Sequence, residues 1–432
     1  MIRVLRKMSL TALVFLVACE ASNKDNSTHA PYACNDCETA LEFKQNILSV
    51  TPKNFDSGGA ISRQFHLNAE TYFAMATISR VSESRELPRS LTHSIPNHTI
   101  TINGEEMRFE DYATNDPLLD GVIVLHNGEI AFETYPNMNS WQRHFSWSVT
   151  KVVTSTALAV LAEQGRIDMT APVEQYVPEL VDTAWAGIIV QNITDMASGI
   201  DCLDSDGYQD DTTCVYQQEE ALGIAAATGR ELDFLDVVRS MQSRSAQGLQ
   251  TEYVSVNTNV LGLVIEGVTG KPYHTAIKEL IWNPIGAEAD ALMAISDQGN
   301  AYAAGGLHAR LRDVARFGQI YTQPESFSLL SPSMIEKIQS AGLQLTPTAK
   351  KKLVSVFATD LPSRSGWQWD LIWADGGMYK AGYSGQGLYV DPGRNLVIAW
   401  FGTGLNFNET TNAMLPVSRQ IAQRYTLGDL NN

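Results

Sequence analysis

Two β-hairpin patterns, far apart in the sequence, are the feature that most constrains the fold. In the first, apolar residues between Gly121 and Tyr135 flank Asn127-Gly128, a dipeptide preferred in two-residue type I′ turns. In the second, apolar runs at 387–390 and 396–401 flank Asp391-Pro392-Gly393. Because strand patterns occur at both ends of this region, with helical patterns between them, we expect these distant segments to meet in one antiparallel sheet.

Helical patterns lie between and after the hairpins. Apolar residues recur at helical spacing from Ser148 to Glu163, and residues Asn408 to Tyr425 predict a closing helix. We therefore predict an α+β fold, an α/β sandwich in which helices flank the antiparallel sheet. A mostly helical subdomain is inserted at about residues 170–300. The main domain covers residues 116–425, and residues 32–115 form an N-terminal extension that packs on it.

The N-terminus has the pattern of an export signal. Three basic residues precede a short apolar run that ends in Leu16-Val17-Ala18-Cys19 and is too short to span a bilayer. A small residue before Cys resembles the bacterial lipobox. We therefore predict a signal peptide over residues 1–18, lipidation of Cys19, a linker over residues 19–31 and a periplasm-facing lipoprotein. By the same resemblance, the lack of Asp after Cys19 favours the outer membrane. The alternative is an ordinary secretory signal with Cys19 incidental.

Four further cysteines, Cys34, Cys37, Cys202 and Cys214, would lie in an oxidising compartment after export. An even number there indicates two disulfides, and we favour local pairing, Cys34–Cys37 and Cys202–Cys214, among the three connectivities. The alternative for Cys34 and Cys37 is a redox or zinc motif. No βαβ pattern surrounds them, and the second pair lacks the matching spacing.

Charge and composition argue against several classes of function. A formal net charge of −17 repels phosphate backbones, so nucleic acid is not an expected partner. The eight histidines form no His-Glu-x-x-His pattern, and no glycine-rich loop suited to phosphate is present. The sequence has no Gly-x-Ser-x-Gly elbow. We therefore predict neither a metal nor an organic cofactor.

Ser148-Val149-Thr150-Lys151 is the clearest sign of chemistry. Residues three apart share a helix face, so the Lys151 amine can reach the Ser148 hydroxyl. A helix N-terminus favours negative charge on the serine oxygen and offers the Ser148 N–H to an oxyanion. A partly desolvated lysine can be neutral and accept a proton. The alternative is an amphipathic helix with Ser148 as its N-cap and a solvated Lys151.

Two later motifs distinguish these alternatives. Tyr253-Val254-Ser255 precedes an apolar helix, and Lys380-Ala381-Gly382 enters the last hairpin. Ser-x-x-Lys, a tyrosine motif and Lys-x-Gly in this order resemble the serine β-lactamase and penicillin-recognising superfamily. From about residue 115 to 425, the chain looks most like the class C-related branch that includes carboxylesterases and 6-aminohexanoate-dimer hydrolase.

The resemblance implies a role for each matching residue. Ser148 would be the nucleophile, with Lys151 as general base or its partner and Tyr253 as second base and proton shuttle. Lys380 and Gly382 would form the substrate-binding strand. The N–H of Tyr383 would join that of Ser148 in the oxyanion hole. The choice between Lys151 and Tyr253 as formal base stays open.

Two further residues are candidates for the walls of the cleft. Tyr208 lies in the loop closed by the expected Cys202–Cys214 bridge, and in nylon-oligomer relatives a tyrosine on a comparable loop closes over substrate. The alternative for Tyr208 is an ordinary exposed residue. His308 follows a Gly-Gly turn and is a candidate for lining the cleft, the alternative being a structural histidine.

These features together predict a secreted serine hydrolase that cleaves an ester or amide bond of a small substrate through a Ser148 acyl-enzyme. Ala381 lacks the hydroxyl usual in the superfamily, and Tyr-Val-Ser differs from the Tyr-x-Asn of β-lactamases. Both departures point away from efficient β-lactam hydrolysis. The alternative function is a penicillin-binding or peptidoglycan-recognising lipoprotein with little turnover.

Overall fold

The computed structural model describes residues 40–425, apart from residues 82, 91–92, 328 and 406–410. The described residues from Lys44 onward belong to one unit. Within these ranges, no helix combines the length and the apolar character needed to cross a membrane. The predicted signal peptide and linker, with Cys19, Cys34 and Cys37, lie outside the described residues.

Most strands lie in the N-terminal and C-terminal parts of the described chain, and the helices α4 to α9 follow one another between β6 and β7. The strands are β1 (Met75–Ile78), β2 (Thr99–Ile102), β3 (Glu105–Arg108), β4 (Leu119–His126), β5 (Glu129–Thr134), β6 (Arg143–Phe145), β7 (Ala291–Ala294), β8 (Leu307–Arg310), β9 (Leu343–Gln344), β10 (Arg364–Gly366), β11 (Trp369–Ile372), β12 (Met378–Gly382), β13 (Gln386–Asp391) and β14 (Leu396–Gly402). The α-helices are α1 (Ala40–Ser49), α2 (Gly59–Leu67), α3 (Phe109–Asn115), α4 (Thr150–Glu163), α5 (Val190–Thr194), α6 (Cys214–Ala221), α7 (Phe234–Ser240), α8 (Ser255–Thr269), α9 (Tyr273–Ile277), α10 (Leu311–Thr322), α11 (Pro324–Phe327), α12 (Pro332–Ser340), α13 (Pro347–Phe357) and α14 (Met414–Ala422).

The larger sheet joins the two predicted hairpins. Its eight strands have the order β5-β4-β14-β13-β12-β11-β10-β9, and neighbouring strands are antiparallel. Strand β4 of the first hairpin pairs with β14 of the second, which places Leu125 opposite Val397. The predicted α+β fold, with one antiparallel sheet built from distant segments, is therefore confirmed.

The turn between β4 and β5 follows from its two residues. Asn127 has φ 50° and Gly128 has φ 82°. A type I′ turn needs positive φ at both central positions, which Asn tolerates and Gly adopts readily. At Gly128 a Cβ atom would also approach the Gln323 side chain to 2.3 Å. The Asn-Gly dipeptide therefore fixes this hairpin locally.

Alternating residues of β14 face two different cores. Val397 packs in the larger core with Phe317 of α10, whereas Ile398 packs in the smaller core with Val417 of α14. Successive side chains of a strand point to opposite faces, so a strand covered on both sides must be apolar throughout. Helices on both faces of the sheet produce the predicted sandwich.

A smaller sheet has the order β1-β7-β8-β6. Strand β1 belongs to the segment before the main domain, and β7 lies within residues 170–300. Strand β6 ends at Phe145, directly before the turn that carries Ser148. The domain boundaries at 32–115 and 116–425 stay predictions.

Two helix boundaries differ from expectation. The closing helix begins at Met414, not Asn408, and ends at Ala422. Pro416 explains the late start, because proline fits the first turn of a helix but disrupts its interior. The helix expected from Ser148 starts instead with a 3₁₀ turn over Trp147–Val149, after which α4 begins at Thr150.

Candidate active site

Ser148 and Lys151 lie together at the start of α4. Lys151 Nζ is 2.9 Å from Ser148 Oγ and donates to the Ala304 carbonyl, also at 2.9 Å. The Lys151 side chain is fully buried. Burial lowers its pKa to about 7, and the nearby charge of Lys380 acts in the same direction. An amine in this state can accept the serine proton near neutral pH.

Tyr253 enters the site from the segment just before α8. Its hydroxyl accepts a hydrogen bond from Lys380 Nζ at 2.9 Å. Lys151 Nζ lies 5.2 Å and Lys380 Nζ 4.7 Å from the centre of the Tyr253 ring. Although 39% of the residue is exposed, burial around the phenol raises its pKa to about 12. Tyr253 is therefore a neutral hydroxyl at neutral pH, able to pass a proton.

Lys380 has a partner that sequence reasoning missed. Asp370 Oδ1 lies 2.6 Å from Lys380 Nζ, and Asp370 Oδ2 accepts the Ala381 N–H at 2.8 Å. Burial opposes the lysine charge, but Asp370 and Tyr253 outweigh it and raise the pKa of Lys380. Lys380 is therefore a cation that donates to Tyr253. A carboxylate inside the otherwise apolar strand β11, Trp369–Ile372, was the available signal.

Gly382 and Tyr383 follow Lys380 at the end of β12. A Cβ at Gly382 would lie 2.7 Å from both the Ser146 carbonyl oxygen and Gln386 Cβ, so this strand approaches the Ser148 turn only because residue 382 is glycine. Tyr383 begins a 3₁₀ turn. Its hydroxyl donates to the Asp56 carbonyl at 3.1 Å, and its ring meets the Trp147 ring edge-on at 5.5 Å. The structure thus brings Tyr383 beside the nucleophile's turn.

A cavity of about 710 Å³ opens over these residues. Its walls hold aromatic rings, the hydroxyls of Ser148 and Tyr253, and several carboxylates. They comprise Pro52, Lys53, Phe55, Asp56, Trp147, Ser148, Asp204, Tyr208, Gln209, Tyr216, Glu219, Ala225, Ala226, Tyr253, Ser255, Tyr302, Asp370, Ala381, Gly382 and Tyr383. This size is in the range of pockets that take a small molecule.

Tyr208 lines the cavity, and its hydroxyl is bound by the carboxylate of Asp204, which the sequence did not predict as a site residue. The Tyr208 hydroxyl donates to Asp204 Oδ2, and the Ser255 N–H donates to Asp204 Oδ1 at 2.7 Å. Asp204 N–H in turn donates to the Tyr253 carbonyl at 3.1 Å. Asp204 therefore joins the Tyr208 loop to the residues around Tyr253. No periodic sequence signal marks Asp204, because it lies in a loop.

A disulfide closes this loop. Cys202 and Cys214 are joined, with their Cα atoms 5.2 Å apart. The loop between them carries both Asp204 and Tyr208, and Cys214 begins α6. The bridge thus limits the movement of one wall of the cavity.

Glu219 and Tyr302 form a further pair that sequence reasoning missed. The Tyr302 hydroxyl donates to Glu219 Oε1 at 2.8 Å. Burial raises the pKa of Glu219 to about 8, so this cavity carboxyl is largely protonated at neutral pH. Its position on α6, five residues after Cys214, was a weak signal because exposed glutamates are common on helices.

His308 does not lie in the cavity, contrary to the expectation. It is fully buried in β8, where Nε2 is 3.1 Å from the His66 carbonyl oxygen and Nδ1 is 3.1 Å from Glu70. Strand β8 pairs with β6 and β7, and the contact with the His66 carbonyl places the His308 side chain between that sheet and α2. The structural alternative describes His308 correctly.

One group of potential metal ligands occurs in the described part of the chain, formed by His66, Asp120 and His144. Its ligand atoms are engaged within the protein. Asp120 contacts Arg63 Nε at 2.5 Å and His144 Nε2 at 3.0 Å, and the Trp147 indole N–H donates to His66 Nε2 at 2.9 Å. The arrangement is a hydrogen-bond network that reaches the residue before Ser148 through the Trp147 indole N–H.

Known proteins are similar to this chain in sequence and in fold. A family model described as Beta-lactamase matches residues 119–423. The chain belongs to the beta-lactamase family. A 6-aminohexanoate-dimer hydrolase from Paenarthrobacter ureafaciens is 28% identical over 298 residues, which are 68% of this chain and 73% of the relative.

Solved structures show the same fold. A provisionally named 6-aminohexanoate-dimer hydrolase from Bacillus anthracis superposes with a TM-score of 0.74 at 23% identity, covering 87% of this chain and 97% of the other. EstCE1, a hydrolase with promiscuous acyltransferase activity, gives a TM-score of 0.54 at 14% identity, covering 73% and 94%. The predicted superfamily is confirmed, and the protein is a serine hydrolase of that superfamily. The roles of individual side chains stay predictions.

Proposed function

We propose that this protein hydrolyses an ester or amide bond of a small substrate through an acyl-enzyme on Ser148. The observation that carries the proposal is the 2.9 Å contact between Ser148 Oγ and the buried Lys151 Nζ. A lysine whose pKa is about 7 is poised to remove a hydroxyl proton at the pH where most hydrolases act.

The two candidate bases differ in acidity. With pKa values of about 7 for Lys151 and about 12 for Tyr253, only the lysine is substantially deprotonated at neutral pH. Lys151 would therefore take the Ser148 proton as Oγ attacks the carbonyl. The Tyr253 hydroxyl, oriented by Lys380, would pass a proton to the leaving group. Water would then cleave the ester with the same groups in reversed roles.

The oxyanion of each tetrahedral intermediate needs hydrogen-bond donors. Ser148 lies in the first turn of a helix, where backbone N–H groups have no acceptor within the helix. We assign the N–H groups of Ser148 and Tyr383 to this task, since β12 brings residue 383 beside the Ser148 turn. Such donors typically contribute about 3–4 kcal/mol each to the transition state.

The cavity walls indicate what kind of substrate fits. Four lining residues carry carboxyl groups, against one lysine, Lys53; the four are Asp56, Asp204, Glu219 and Asp370. An acidic wall disfavours substrates that carry a carboxylate near the reacting carbonyl. We therefore propose a neutral or cationic small ester or amide, and the name of the Paenarthrobacter relative, 6-aminohexanoate-dimer hydrolase, supports a small substrate.

Substitution of Ser148 by Ala tests the reaction. With a chromogenic acyl ester, S148A should lose turnover by at least about 10³-fold while Tm is retained, because no other hydroxyl lies within reach of Lys151 Nζ in its described contacts. Intact-mass spectrometry should show an acyl adduct on the wild-type protein and none on S148A.

One control variant and two contrary outcomes complete the experiment. Ser355→Ala changes an exposed serine of α13, outside the cavity, and should keep full activity. Wild-type-like turnover by S148A would disprove the assignment. A stable adduct with a fluorescent penicillin, with no ester turnover, would support the penicillin-binding lipoprotein instead.

We further propose that the chain is exported, as its N-terminal sequence suggests, and lipidated at Cys19. In cells of a Gram-negative host fed radiolabelled palmitate, the wild-type protein should be labelled and recovered with the outer membrane. The Cys19→Ala variant should be unlabelled. Labelling that survives the substitution would refute lipidation at this residue.

A further inference from the structure

Trp147, the residue before the nucleophile, has an unusual backbone. Its φ is 45°, in the left-handed region that residues other than glycine rarely adopt. Such a conformation persists only where the surroundings hold it, and it occurs most often at functional sites. Because residue 147 directly precedes Ser148, its backbone sets the direction of both the Ser148 N–H and the start of the catalytic turn.

Side-chain contacts hold Trp147 in place. The indole N–H donates to His66 Nε2 at 2.9 Å. The indole ring stacks on Phe55 at 6.0 Å with an interplanar angle of 18° and meets Phe145 edge-on at 4.9 Å. Aromatic contacts restrict the ring plane but leave it able to slide, whereas the hydrogen bond fixes one atom.

His66 is well suited to be this acceptor. It lies in α2 and is fully buried, and its Nδ1 is 3.3 Å from Thr403 Oγ1. Thr403 Oγ1 donates to Asp120 Oδ2 at 2.6 Å, so its lone pairs can receive the proton of Nδ1. Burial, with the charges of His144 and Arg63, holds the pKa of His66 well below its ordinary value. His66 is thus a neutral imidazole with Nε2 unprotonated.

We propose that His66 is a positioning residue of this hydrolase, which accepts the Trp147 indole N–H and thereby holds the left-handed backbone that aims Ser148 at the substrate. The inference rests on the proposed function of Ser148. It gives α2 a role in positioning the nucleophile, although α2 lies outside the residues 119–423 that match the family model. His66 touches no reacting atom, so its effect must pass through Trp147.

Two substitutions of His66 separate positioning from packing. In glutamine the amide oxygen reaches about as far as Nε2, whereas in asparagine the amide reaches only as far as Nδ1. His66→Gln should therefore keep the acceptor for Trp147, and His66→Asn should lose it. We expect the acylation rate constant, measured by stopped flow with a chromogenic ester, to fall about tenfold in H66N and less than threefold in H66Q, with the substrate dissociation constant unchanged in both.

A second pair of variants tests whether the effect of His66 on Ser148 passes through Trp147. Trp147→Phe removes the indole N–H but keeps an aromatic ring, and it should also slow acylation about tenfold. The double variant H66N/W147F should be no slower than either single variant, because both remove the same bond. Tm values establish that each protein is folded, and W147F still decides the matter if H66N fails to fold.

The outcomes distinguish this inference from the function on which it rests. If wild-type protein forms no acyl adduct at Ser148, the proposed function fails. If the adduct forms but H66N or W147F acylates at the wild-type rate, the positioning role of His66 is refuted. Equal losses in H66Q and H66N, or additive losses in the double variant, would also refute it.

Discussion

The pH dependence of the reaction follows directly from the burial of Lys151. Its pKa of about 7 means that about half of the enzyme has a neutral amine at pH 7. At pH 5 only about one molecule in a hundred would have it, because the neutral fraction falls about tenfold per pH unit below the pKa. We therefore predict that kcat/KM for an uncharged ester rises with pH and levels off above about pH 8, since kcat/KM reports ionisations of the free enzyme.

Neighbouring charges should move this inflection in opposite directions. Lys380 lowers the pKa of Lys151 and Asp370 raises it. Lys380→Met should therefore shift the inflection to higher pH, and Asp370→Asn should shift it to lower pH. Lys352→Met and Asp236→Asn change exposed residues outside the cavity and serve as matched controls that leave the inflection in place.

The assay is the initial rate of hydrolysis between pH 5 and 9 at constant ionic strength, with substrate well below KM. A profile that is flat across this range would refute Lys151 as the base. An inflection that stays the same in both K380M and D370N would show that another group controls it. A rise that shows no levelling up to pH 9 would exclude a base with a pKa of about 7 and would favour Tyr253, whose pKa is about 12.

Two further predictions concern stability. Lys151→Met should stabilise the fold by about 2 kcal/mol at pH 7, measured by urea unfolding. Lowering the lysine pKa from 10.5 to about 7 costs the wild-type fold about 4 kcal/mol at this pH, and the two hydrogen bonds that the variant loses had offset about 2 kcal/mol of that cost. The unfolded chain binds more protons between those pKa values, so the gain should shrink as pH rises toward 10; a destabilised K151M would contradict this. Cys214→Ser should destabilise the fold by about 3 kcal/mol and raise KM, since the loop carrying Asp204 and Tyr208 is released. A KM equal to that of the wild type would show that the bridge does not order the cavity wall.

Features encoded by neighbouring residues were predictable from the sequence. The Asn127-Gly128 turn sets a hairpin by its own dihedral preferences, and the three-residue spacing of Ser148 and Lys151 sets their contact once a helix forms. The superfamily resemblance then supplied Tyr253 and Lys380, whose motifs are distant in sequence and adjacent in the structure.

Features that depend on tertiary neighbours were not predictable in the same way. Asp370 reaches Lys380 because β11 pairs with β12 in a register that places Leu371 opposite Tyr379. No local pattern specifies that register. The expectation that His308 lines the cleft was wrong because the turn before it does not indicate which element the side chain faces. In the structure that element is α2. The left-handed φ at Trp147 likewise results from its partners and not from its own preference.

The two lysines of the site differ in protonation state because they have different partners. Both are fully buried, but Lys151 Nζ contacts two neutral oxygens, whereas Lys380 Nζ contacts the carboxylate of Asp370. Burial without a compensating charge favours the neutral amine, and burial beside a carboxylate favours the cation. One site thus holds a base and a fixed positive charge within about 5 Å of the same tyrosine ring. Because Asp370 sets this difference, its removal should disturb the division of roles even though it contacts neither Ser148 nor Lys151 in the described hydrogen bonds.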